Sequence, residues 1–360
     1  MRFRWLEERD ESLTRQLALA PLDVASWCYA SGAWLHRSAA ERGLTRPRRL
    51  SARVVSVGNL VVGGTAKTPL AAWIAAQLRR RGRRVVLASR GYGRAGREAI
   101  EVVSDGRFVH ATAATAGDEP MLLAAQAPGV PVLVGRDRGL VGLRAQSAFG
   151  AEVIVLDDGF QHHRVRRDVD VLTFDGVLGL GNRRVLPRGP LRESLAALTR
   201  ADAIGVVDGP LPDRDERVIA WRAPRAYRFA TRRVPSALRP LAGGDPLPPD
   251  VLAGERVGLL AAVARPDSVR RTLEALGAQV VAERLFRDHY RFAASDLANL
   301  ADQAPRWITT EKDAVKLVPA WAGRARIDVL AIELAVEEPD ALLDWLEARL
   351  RQPSRGPGQR

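Results

Sequence analysis

One glycine-containing stretch between a strand-like run and a helix-like run constrains this chain most. Residues 56–69 read Ser-Val-Gly-Asn-Leu-Val-Val-Gly-Gly-Thr-Ala-Lys-Thr-Pro. They follow a β-branched run and precede an apolar-rich segment that Pro69 can open and Gly82 can close as a helix. The order strand, glycine loop, lysine, helix is typical of a phosphate-binding loop, in which backbone N–H groups hold phosphate oxygens. In such a loop Lys67 reaches the outer phosphates and the Thr68 hydroxyl binds Mg²⁺.

Two positions of this loop depart from the usual pattern G-x-x-x-x-G-K-[ST]. Val61 stands at the first glycine position, and Ala66 stands at the glycine before the lysine. The Ala66 methyl group either crowds the phosphates or requires backbone angles that alanine can adopt. We expect ATP to bind nevertheless, because the lysine and the threonine are present. The expected nucleotide-contacting residues are Val61, Val62, Gly63, Gly64, Thr65, Ala66, Lys67 and Thr68.

The composition indicates a large folded protein, and its positive charge allows an anionic partner. At 360 residues and 46% apolar content, the chain is globular and suits two domains. The formal charge of +13 fits an arginine-rich proteome, or a partner that is nucleic acid, anionic lipid or a phosphorylated substrate. Nucleic acid is the least favoured, because no basic strand is interleaved with aromatic residues. The single cysteine, Cys28, excludes an internal disulfide and fits a reducing cytoplasm.

The N-terminal segment is apolar enough for a membrane surface but carries polar interruptions. Acidic residues precede the first apolar run, so the start is no signal peptide. Residues 17–35 approach the length of a membrane span, but a proline and an aspartate within them make insertion costly. One interpretation is a helix in the membrane interface, with Trp27, Tyr29 and Trp34 at headgroup depth and the arginine-rich stretch 46–53 on anionic lipid. A core helix packed on the first domain is the alternative, and both stay open.

Short β-branched runs alternate with helix-like stretches after the loop. This alternation predicts an α/β fold of the P-loop type, with a doubly wound, mostly parallel sheet whose ligands lie at the carboxyl ends of the strands. The runs that we interpret as strands cover residues 84–88, 130–134, 153–156, 169–174 and 203–207.

The chain divides into five predicted parts. Prolines and arginines cluster between about 211 and 254, which is typical of a linker, and further strand and helix patterns after it predict a second, smaller α/β domain. The predicted parts are a membrane-associating helical segment (1–50), a nucleotide-binding domain (51–210), a linker region (211–254), a C-terminal α/β domain (255–350) and a disordered tail (351–360).

Two aspartates follow an apolar strand-like run. Asp157 and Asp158 come directly after residues 153–156, at the strand tip expected beside the phosphate loop. NTPases place a carboxylate there to hold Mg²⁺ directly or through water. A turn or helix cap accounts for one aspartate more readily than for two, so the metal interpretation is favoured.

Other polar motifs have local interpretations. Asp118 and Glu119 stand at the expected start of a helix, where capping is the default role. His289 follows another aspartate and is either structural or a base near neutral pH. Residues 309–313 can cap a helix, and the basic turn 186–193 can bind an anion or merely cross the surface.

Seven segments together resemble the tetraacyldisaccharide 4'-kinases, the membrane-associated kinases of lipid A synthesis. The segments occur in the family's order over nearly the whole chain, so the ordered set is far more specific than any single segment. The segments are the loop (56–69), Ser-Arg-Gly-Tyr-Gly-Arg (89–94), Gly-Asp-Glu-Pro (117–120), Leu-Asp-Asp-Gly-Phe-Gln-His-His (156–163), Leu-Pro-Arg-Gly-Pro-Leu-Arg-Glu (186–193), Asp-His-Tyr-Arg-Phe (288–292) and Thr-Thr-Glu-Lys-Asp-Ala-Val-Lys-Leu (309–317).

The resemblance implies an enzyme, a reaction and a place. It implies transfer of the ATP γ-phosphate to the 4'-hydroxyl of a lipid A disaccharide 1-phosphate precursor, with Mg²⁺, at the cytoplasmic face of the bacterial inner membrane. It also implies two α/β domains joined by a β-stranded linker, with the active site in the cleft. The expected partners are the acylated disaccharide substrate and a membrane surface with peripheral or shallow contact. Neither nucleic acid nor an obligate protein partner is expected.

The resemblance also implies roles for individual residues. Lys67 and Thr68 serve the nucleotide and Mg²⁺, and Asp157 and Asp158 are the strand-tip carboxylates. Asp118 is expected to pair with His289 as a dyad that activates the sugar hydroxyl, which replaces the capping interpretation of Asp118. Glu119, Gln161 and Glu193 are expected as neighbours of the Mg²⁺ or phosphate site.

Two other functions fit the residues taken without the resemblance. One is a soluble P-loop kinase or NTPase that acts on a small metabolite. The other is a nucleotide-gated membrane-binding module that catalyses no transfer.

Overall fold

The computed structural model describes residues 13–41, 47–96 and 98–352, which form one continuous mixed sheet with flanking helices. The strands are β1 Arg53–Gly58, β2 Val85–Ser89, β3 Ile100–Ser104, β4 Val132–Gly135, β5 Val153–Asp157, β6 Val169–Asp175, β7 Ala203–Val207, β8 Tyr227–Pro240, β9 Arg256–Ala261, β10 Gln279–Leu285, β11 Arg306–Thr310 and β12 Ile327–Val336. The α-helices are α1 Leu13–Glu41, α2 Lys67–Arg80, α3 Ala113–Ala116, α4 Asp118–Gln126, α5 Arg138–Phe149, α6 Asp213–Arg222, α7 Pro266–Ala275, α8 Leu300–Gln303, α9 Glu311–Ala314 and α10 Pro339–Arg351. Short 3-10 helices cover Leu195–Arg200, Pro249–Leu252, Ala294–Leu297 and Pro319–Ala322.

The twelve strands lie in the order β10-β9-β11-β12-β8-β7-β6-β1-β5-β2-β4-β3. All neighbouring strands are parallel except β8 with β12 and β3 with β4. We call β1–β7 the N-terminal half of the sheet and β9–β12 the C-terminal half. The long strand β8 joins them, since it pairs in parallel with β7 and antiparallel with β12. The predicted α/β fold with a mostly parallel sheet is confirmed.

The alternating side chains of β1 show how the sheet is covered on two faces. Val55 and Val57 belong to a buried cluster with Leu70 and Ile74 of α2. Val54, which points the other way, belongs to a cluster with residues of α5. Every side chain of β5 is buried, as expected for a central parallel strand covered on both faces. The apolar core thus fixes the strand tips at which the polar motifs lie.

The structure differs from the sequence prediction at two places. The region 211–254, predicted from its prolines and arginines as a linker, contains the helix α6 and the 14-residue strand β8. The strand is long because it pairs with β7 on one side and with β12 on the other. The edge strand β3 was not predicted. It is a short run between polar residues, and it pairs only with β4, in the antiparallel direction. The predicted tail lies outside the described residues from position 353 onward.

The helix α1 contains the predicted segment 17–35 and docks through polar contacts. The Ser26 hydroxyl donates to the Val185 carbonyl (2.8 Å) and accepts from the Arg188 N–H (3.0 Å). Asp23 forms ion pairs with Arg184 and Arg188. Large apolar side chains of α1, in contrast, are exposed: Val24, Trp27, Tyr29, Trp34 and Leu35. No helix in the described ranges is long and apolar enough to cross a membrane.

Substituting Gly258 with alanine tests the packing between β9 and β11. Gly258 is the register partner of the fully buried Trp307, and a Cβ at position 258 would lie 2.5 Å from the indole ring. We expect Gly258→Ala to lower the free energy of unfolding by about 1–3 kcal/mol, as overpacked core positions do. Urea unfolding measures the change. Gly32→Ala on α1 is the control and should not destabilise, since no atom outside its chain neighbours and its own helix backbone lies within 4 Å of the added Cβ, and alanine favours a helix. Unchanged stability of Gly258→Ala would contradict this packing.

Candidate functional site

The carboxyl ends of the strands in the two sheet halves face one large cavity. Its volume is about 1410 Å³, which exceeds the roughly 300–1,000 Å³ of an ordinary small-molecule pocket. The glycine loop 62–68 lines one wall, and the motifs 288–289 and 310–312 line the opposite wall. The cavity is therefore large enough for two substrates, with phosphate-binding and titratable groups facing each other.

The loop has the backbone of a phosphate-binding loop despite Ala66. The helix α2 begins at Lys67 with Ala66 as its N-cap residue, and no side chain caps it. Ala66 adopts φ 55° and ψ 26°, which is the left-handed region that favours glycine. The alanine thus takes the required backbone angles. Uncapped N–H groups at the start of α2 suit an anion, because the helix dipole adds positive potential there.

Polar contacts from two other segments hold the loop in place. The Asn59 side-chain amide donates to the Thr65 hydroxyl (2.9 Å), and Thr173 of β6 donates to the same oxygen (3.1 Å). The Val62 N–H donates to the Pro190 carbonyl (2.8 Å), and the Arg192 N–H donates to the Leu60 carbonyl (2.8 Å). The basic turn 186–193 therefore braces the loop rather than merely crossing the surface.

The two strand-tip aspartates occupy different environments. Asp157 is fully buried, and its carboxylate accepts from the Thr68 hydroxyl at 3.2–3.3 Å. Burial raises the pKa of Asp157 to about 7, and the nearby Glu119 adds to the shift. Asp158 instead forms an ion pair with Arg192 (2.8 Å). Burial raises the pKa of Asp158, but Lys67 and Arg192 outweigh it and hold the pKa below its ordinary value.

Asp118 and His289 meet across the cleft between the sheet halves. The His289 Nδ1 lies 2.9 Å from Asp118 Oδ2, although the residues are 171 positions apart. Asp118 lies at the start of α4, where Gly117 is the N-cap residue, and its Oδ1 also accepts from the Glu119 N–H (3.0 Å). The carboxylate therefore has a local partner in the first turn of α4 as well as His289. The Tyr92 ring flanks the imidazole at 5.5 Å between centroids.

Lys312 completes this charged group, and it was not among the predicted site residues. Its Nζ donates to Asp288 (2.8 Å) and lies 3.4 Å from His289 Nε2 and 3.9 Å from Asp118. Thr310 caps the short helix α9 through the Asp313 N–H, which confirms the capping interpretation of residues 309–313. Lys312 belongs to the motif 309–313, but the capping role that explains this motif does not indicate where its lysine side chain lies.

Hydrogen bonding and charge set the protonation of the group. The hydrogen bond that His289 donates to Asp118 raises the pKa of His289 above 6.5, against the opposing effects of burial and Lys312. Burial raises the pKa of Asp118, but His289 and Lys312 outweigh it and hold that pKa below its usual range. Burial lowers the pKa of Lys312, yet Asp288 and Asp118 keep it above the ordinary value. Asp118 is therefore ionised and Lys312 charged at neutral pH.

The three residues expected beside the Mg²⁺ or phosphate site have different positions. Glu119 and Gln161 line the cavity, and Gln161 donates to the Asn59 carbonyl (3.0 Å). Glu193 does not point into the cavity. Its carboxylate forms a buried ion pair with Arg200 (2.9 Å), whose guanidinium stacks on Phe160. In the described part of the chain, no three acidic, histidine or cysteine side chains cluster closely enough to hold a metal ion without other ligands.

Comparison with known proteins gives consistent matches over nearly the whole chain. The family model described as tetraacyldisaccharide-1-P 4'-kinase matches residues 17–351. A tetraacyldisaccharide 4'-kinase of Anaeromyxobacter dehalogenans (strain 2CP-C) is 44% identical over 340 residues, covering 91% of this chain and 89% of the relative. One of Syntrophus aciditrophicus is 38% identical, covering 88% of this chain and 89% of the relative.

A solved structure is similar in fold as well as sequence. It is the "apo" form of LpxK from Aquifex aeolicus in complex with ATP, and it is 28% identical to this chain. The TM-score is 0.74, and the match covers 93% of this chain and 99% of the other.

Replacing Ala66 with glycine tests the left-handed backbone of the loop. The left-handed conformation destabilises a residue with a Cβ by about 1–2 kcal/mol, and added chain entropy of an unfolded glycine offsets roughly 0.4–1 kcal/mol of that. We therefore expect Ala66→Gly to raise the free energy of unfolding by about 0.5–1 kcal/mol. Urea unfolding measures it, with Ala71→Gly inside α2 as a control that should destabilise. Destabilisation by Ala66→Gly would show that the left-handed assignment is wrong.

Proposed function

The chain belongs to the tetraacyldisaccharide-1-P 4'-kinase family, and we propose from this premise how its residues perform the family's reaction. The chain is an ATP-dependent kinase that phosphorylates the 4'-hydroxyl of a lipid A disaccharide 1-phosphate precursor. The observation that supports the assignment of roles best is the Asp118–His289 hydrogen bond, which faces the glycine loop across one cavity.

The glycine loop binds the ATP phosphates in this proposal. Backbone N–H groups between Gly63 and Thr68 surround the phosphate oxygens, and Lys67 neutralises charge on the outer phosphates. The fixed loop supports this role, because a site that is already organised needs little rearrangement as charge develops.

The residues at the tip of β5 fit a magnesium ion. Asp157 is a buried carboxylate whose only described hydrogen-bond partner is Thr68, and both are oxygen ligands of the kind that Mg²⁺ prefers. Its raised pKa indicates that burial and the charge of Glu119 outweigh the attraction of Lys67. Asp157 and Thr68 would hold the ion most directly, and Glu119 and Asp158 would stand nearby. A bound Mg²⁺ supplies charge neutralisation at the phosphates.

His289 is the proposed general base, and Asp118 positions it. With Nδ1 fixed on Asp118, the Nε2 of neutral His289, which lies 3.4 Å from Lys312 Nζ, is the nitrogen that takes the proton of the 4'-hydroxyl. The hydroxyl oxygen forms a bond to the γ-phosphorus as the bond to the β–γ bridging oxygen breaks, and ADP leaves. General-base catalysis typically contributes about 10²–10⁴-fold to such a rate.

Residues 51–210 and 255–350 are proposed to act as two domains that close over the substrates, with residues 211–254 as the linker. Several contacts join them besides the dyad. Gln126 of α4 donates to Glu311 of α9 (3.0 Å), and Arg291 donates to the Gly93 carbonyl (3.2 Å). Because the base and its carboxylate partner come from different domains, closure assembles the catalytic group.

The helix α1 is proposed to lie on the cytoplasmic face of the inner membrane. Its exposed apolar residues include Trp27 (78% exposed) and Trp34 (48% exposed), which suit the interface between water and lipid. The exposed Arg48 and Arg49 follow in the chain and suit anionic headgroups. A substrate with acyl chains stays in the bilayer, so surface contact brings the cavity to it.

Removing the base should abolish most of the turnover and change its pH dependence. We expect His289→Ala to lower kcat by about 10²–10⁴-fold with little effect on ATP binding. Neutral imidazole is required, so wild-type kcat/KM should rise with pH through a midpoint above 6.5. Asp118→Asn removes the main cause of the raised pKa and should shift that midpoint to lower pH. Transfer of labelled γ-phosphate to the disaccharide in detergent measures both, and an unshifted midpoint would contradict the dyad.

Polar substitution on α1 should weaken membrane contact. We expect Trp27→Ser with Trp34→Ser to reduce co-flotation with vesicles that contain anionic lipid, because two apolar anchors are lost. Trp221→Ser is the control, since Trp221 is equally exposed (71%) but lies on α6. Equal flotation of the α1 double variant and the wild type would count against the membrane role of α1.

A further inference from the structure

Two arginines and an aspartate line the cavity, and a second, buried aspartate pairs with both arginines. The proposed mechanism does not use these residues. Asp175 ends β6, Asp208 follows β7, Arg233 lies on β8, and Arg265 precedes α7 in the C-terminal half. Arg233, Arg265 and Asp208 line the same cavity as the glycine loop.

Asp175 holds both arginines from a buried position. Its Oδ2 accepts from Arg233 Nη2 (3.2 Å) and from Arg265 Nη1 (3.3 Å), and its side chain is only 4% exposed. Its Oδ1 accepts from the N–H groups of Val177 and Leu178 (3.1 Å each). The carboxylate is fully used by the protein, so it positions the guanidinium groups rather than contacting a ligand.

Arg233 is fixed further and reaches the glycine loop. Its Nε donates to Asp208 Oδ2 (2.6 Å), and its backbone N–H donates to Asp208 Oδ1 (2.8 Å). Its Nη1 lies 3.5 Å from the Gly64 carbonyl. The arginine pair therefore lies beside the loop, where it can contact the part of a bound molecule that extends beyond the loop.

The order of the strands indicates in which direction a molecule bound to the loop extends across the sheet. The reacting groups lie on the β5, β2 and β4 side of β1: Asp157 at the tip of β5, and Asp118 after β3 and before β4. In the proposed function the γ-phosphate must face them. The other end of ATP then extends to the opposite side of β1, over the tips of β6 and β7, where Asp175 and Asp208 hold the two arginines.

We propose that Arg265, positioned by Asp175, binds the nucleoside end of ATP. A planar guanidinium stacks on a purine ring, and Val269 of α7 adds apolar contact on the same wall of the cavity. Arg265 belongs to the C-terminal half, so it links the nucleoside to the half that carries His289. This inference rests on the proposed function, in which the phosphates occupy the loop.

Inorganic tripolyphosphate separates the nucleoside from the phosphates in a binding test. Calorimetric titration of the full chain with MgATP and with magnesium tripolyphosphate needs no turnover. We expect Arg265→Ala to weaken MgATP binding about tenfold while tripolyphosphate binding stays unchanged, since the lost contact is a cation–π stack. Arg265→Lys should restore part of the ATP affinity. Arg271→Ala, an exposed arginine on α7, is the matched control and should change neither ligand.

The outcomes distinguish this inference from the function beneath it. Equal weakening of both ligands by Arg265→Ala would overturn the inference, because the arginine would then contact phosphate or merely support the loop. Unchanged ATP binding would overturn it as well. Lys67→Ala should weaken both ligands. If Lys67→Ala weakened neither, the loop would not be the phosphate site, and the proposed function and the inference would fall together.

Discussion

The hydrogen bond between Asp118 and His289 is the interaction on which the site depends, because it joins the two halves of the sheet at the point of chemistry. Restricted backbone conformations occur at both ends of this hydrogen bond, at the glycine before Asp118 and at His289 itself. Gly117 has φ 99°, and a Cβ there would lie 2.9 Å from the Tyr92 carbonyl, so only glycine lets α4 begin where it does. His289 itself has φ 59°. Backbone held in such conformations is common where geometry serves function.

A balance between burial and opposite charge decides the state of each carboxylate around the cavity. Asp118 is buried and Asp158 is partly exposed, but each faces a cation that holds its pKa below the ordinary value. Asp157 is buried with a neighbouring acid, so its pKa rises to about 7. The same physical effects thus keep two acids charged, whereas at Asp157 burial and Glu119 outweigh the attraction of Lys67. That difference supports separate roles for acids which look alike in the sequence.

Local patterns predicted the parts of the site that belong to single motifs. The glycine loop, the strand-tip aspartates and the parallel sheet each follow from residues close together in the chain. The resemblance to a known family added the Asp118–His289 pair, which no local pattern joins across 171 positions. The approach of Lys312 to Asp118 and the pairing of Arg265 with Asp175 were not predicted, because they depend on how β8 brings the sheet halves together. The ion pair of Glu193 with Arg200 was not predicted for a different reason: both residues lie in the N-terminal half, where Arg200 is held over the Phe160 ring.

A double-mutant cycle on kcat/KM tests the central claim most directly, namely that Asp118 and His289 act as one unit. The four proteins are the wild type, Asp118→Asn, His289→Ala and the double variant, each assayed for phosphoryl transfer to the disaccharide. Because Asp118 acts through His289 in this account, the double variant should be about as slow as His289→Ala alone. Losses that multiply, so that the double variant is slower by the product of the two single effects, would contradict it.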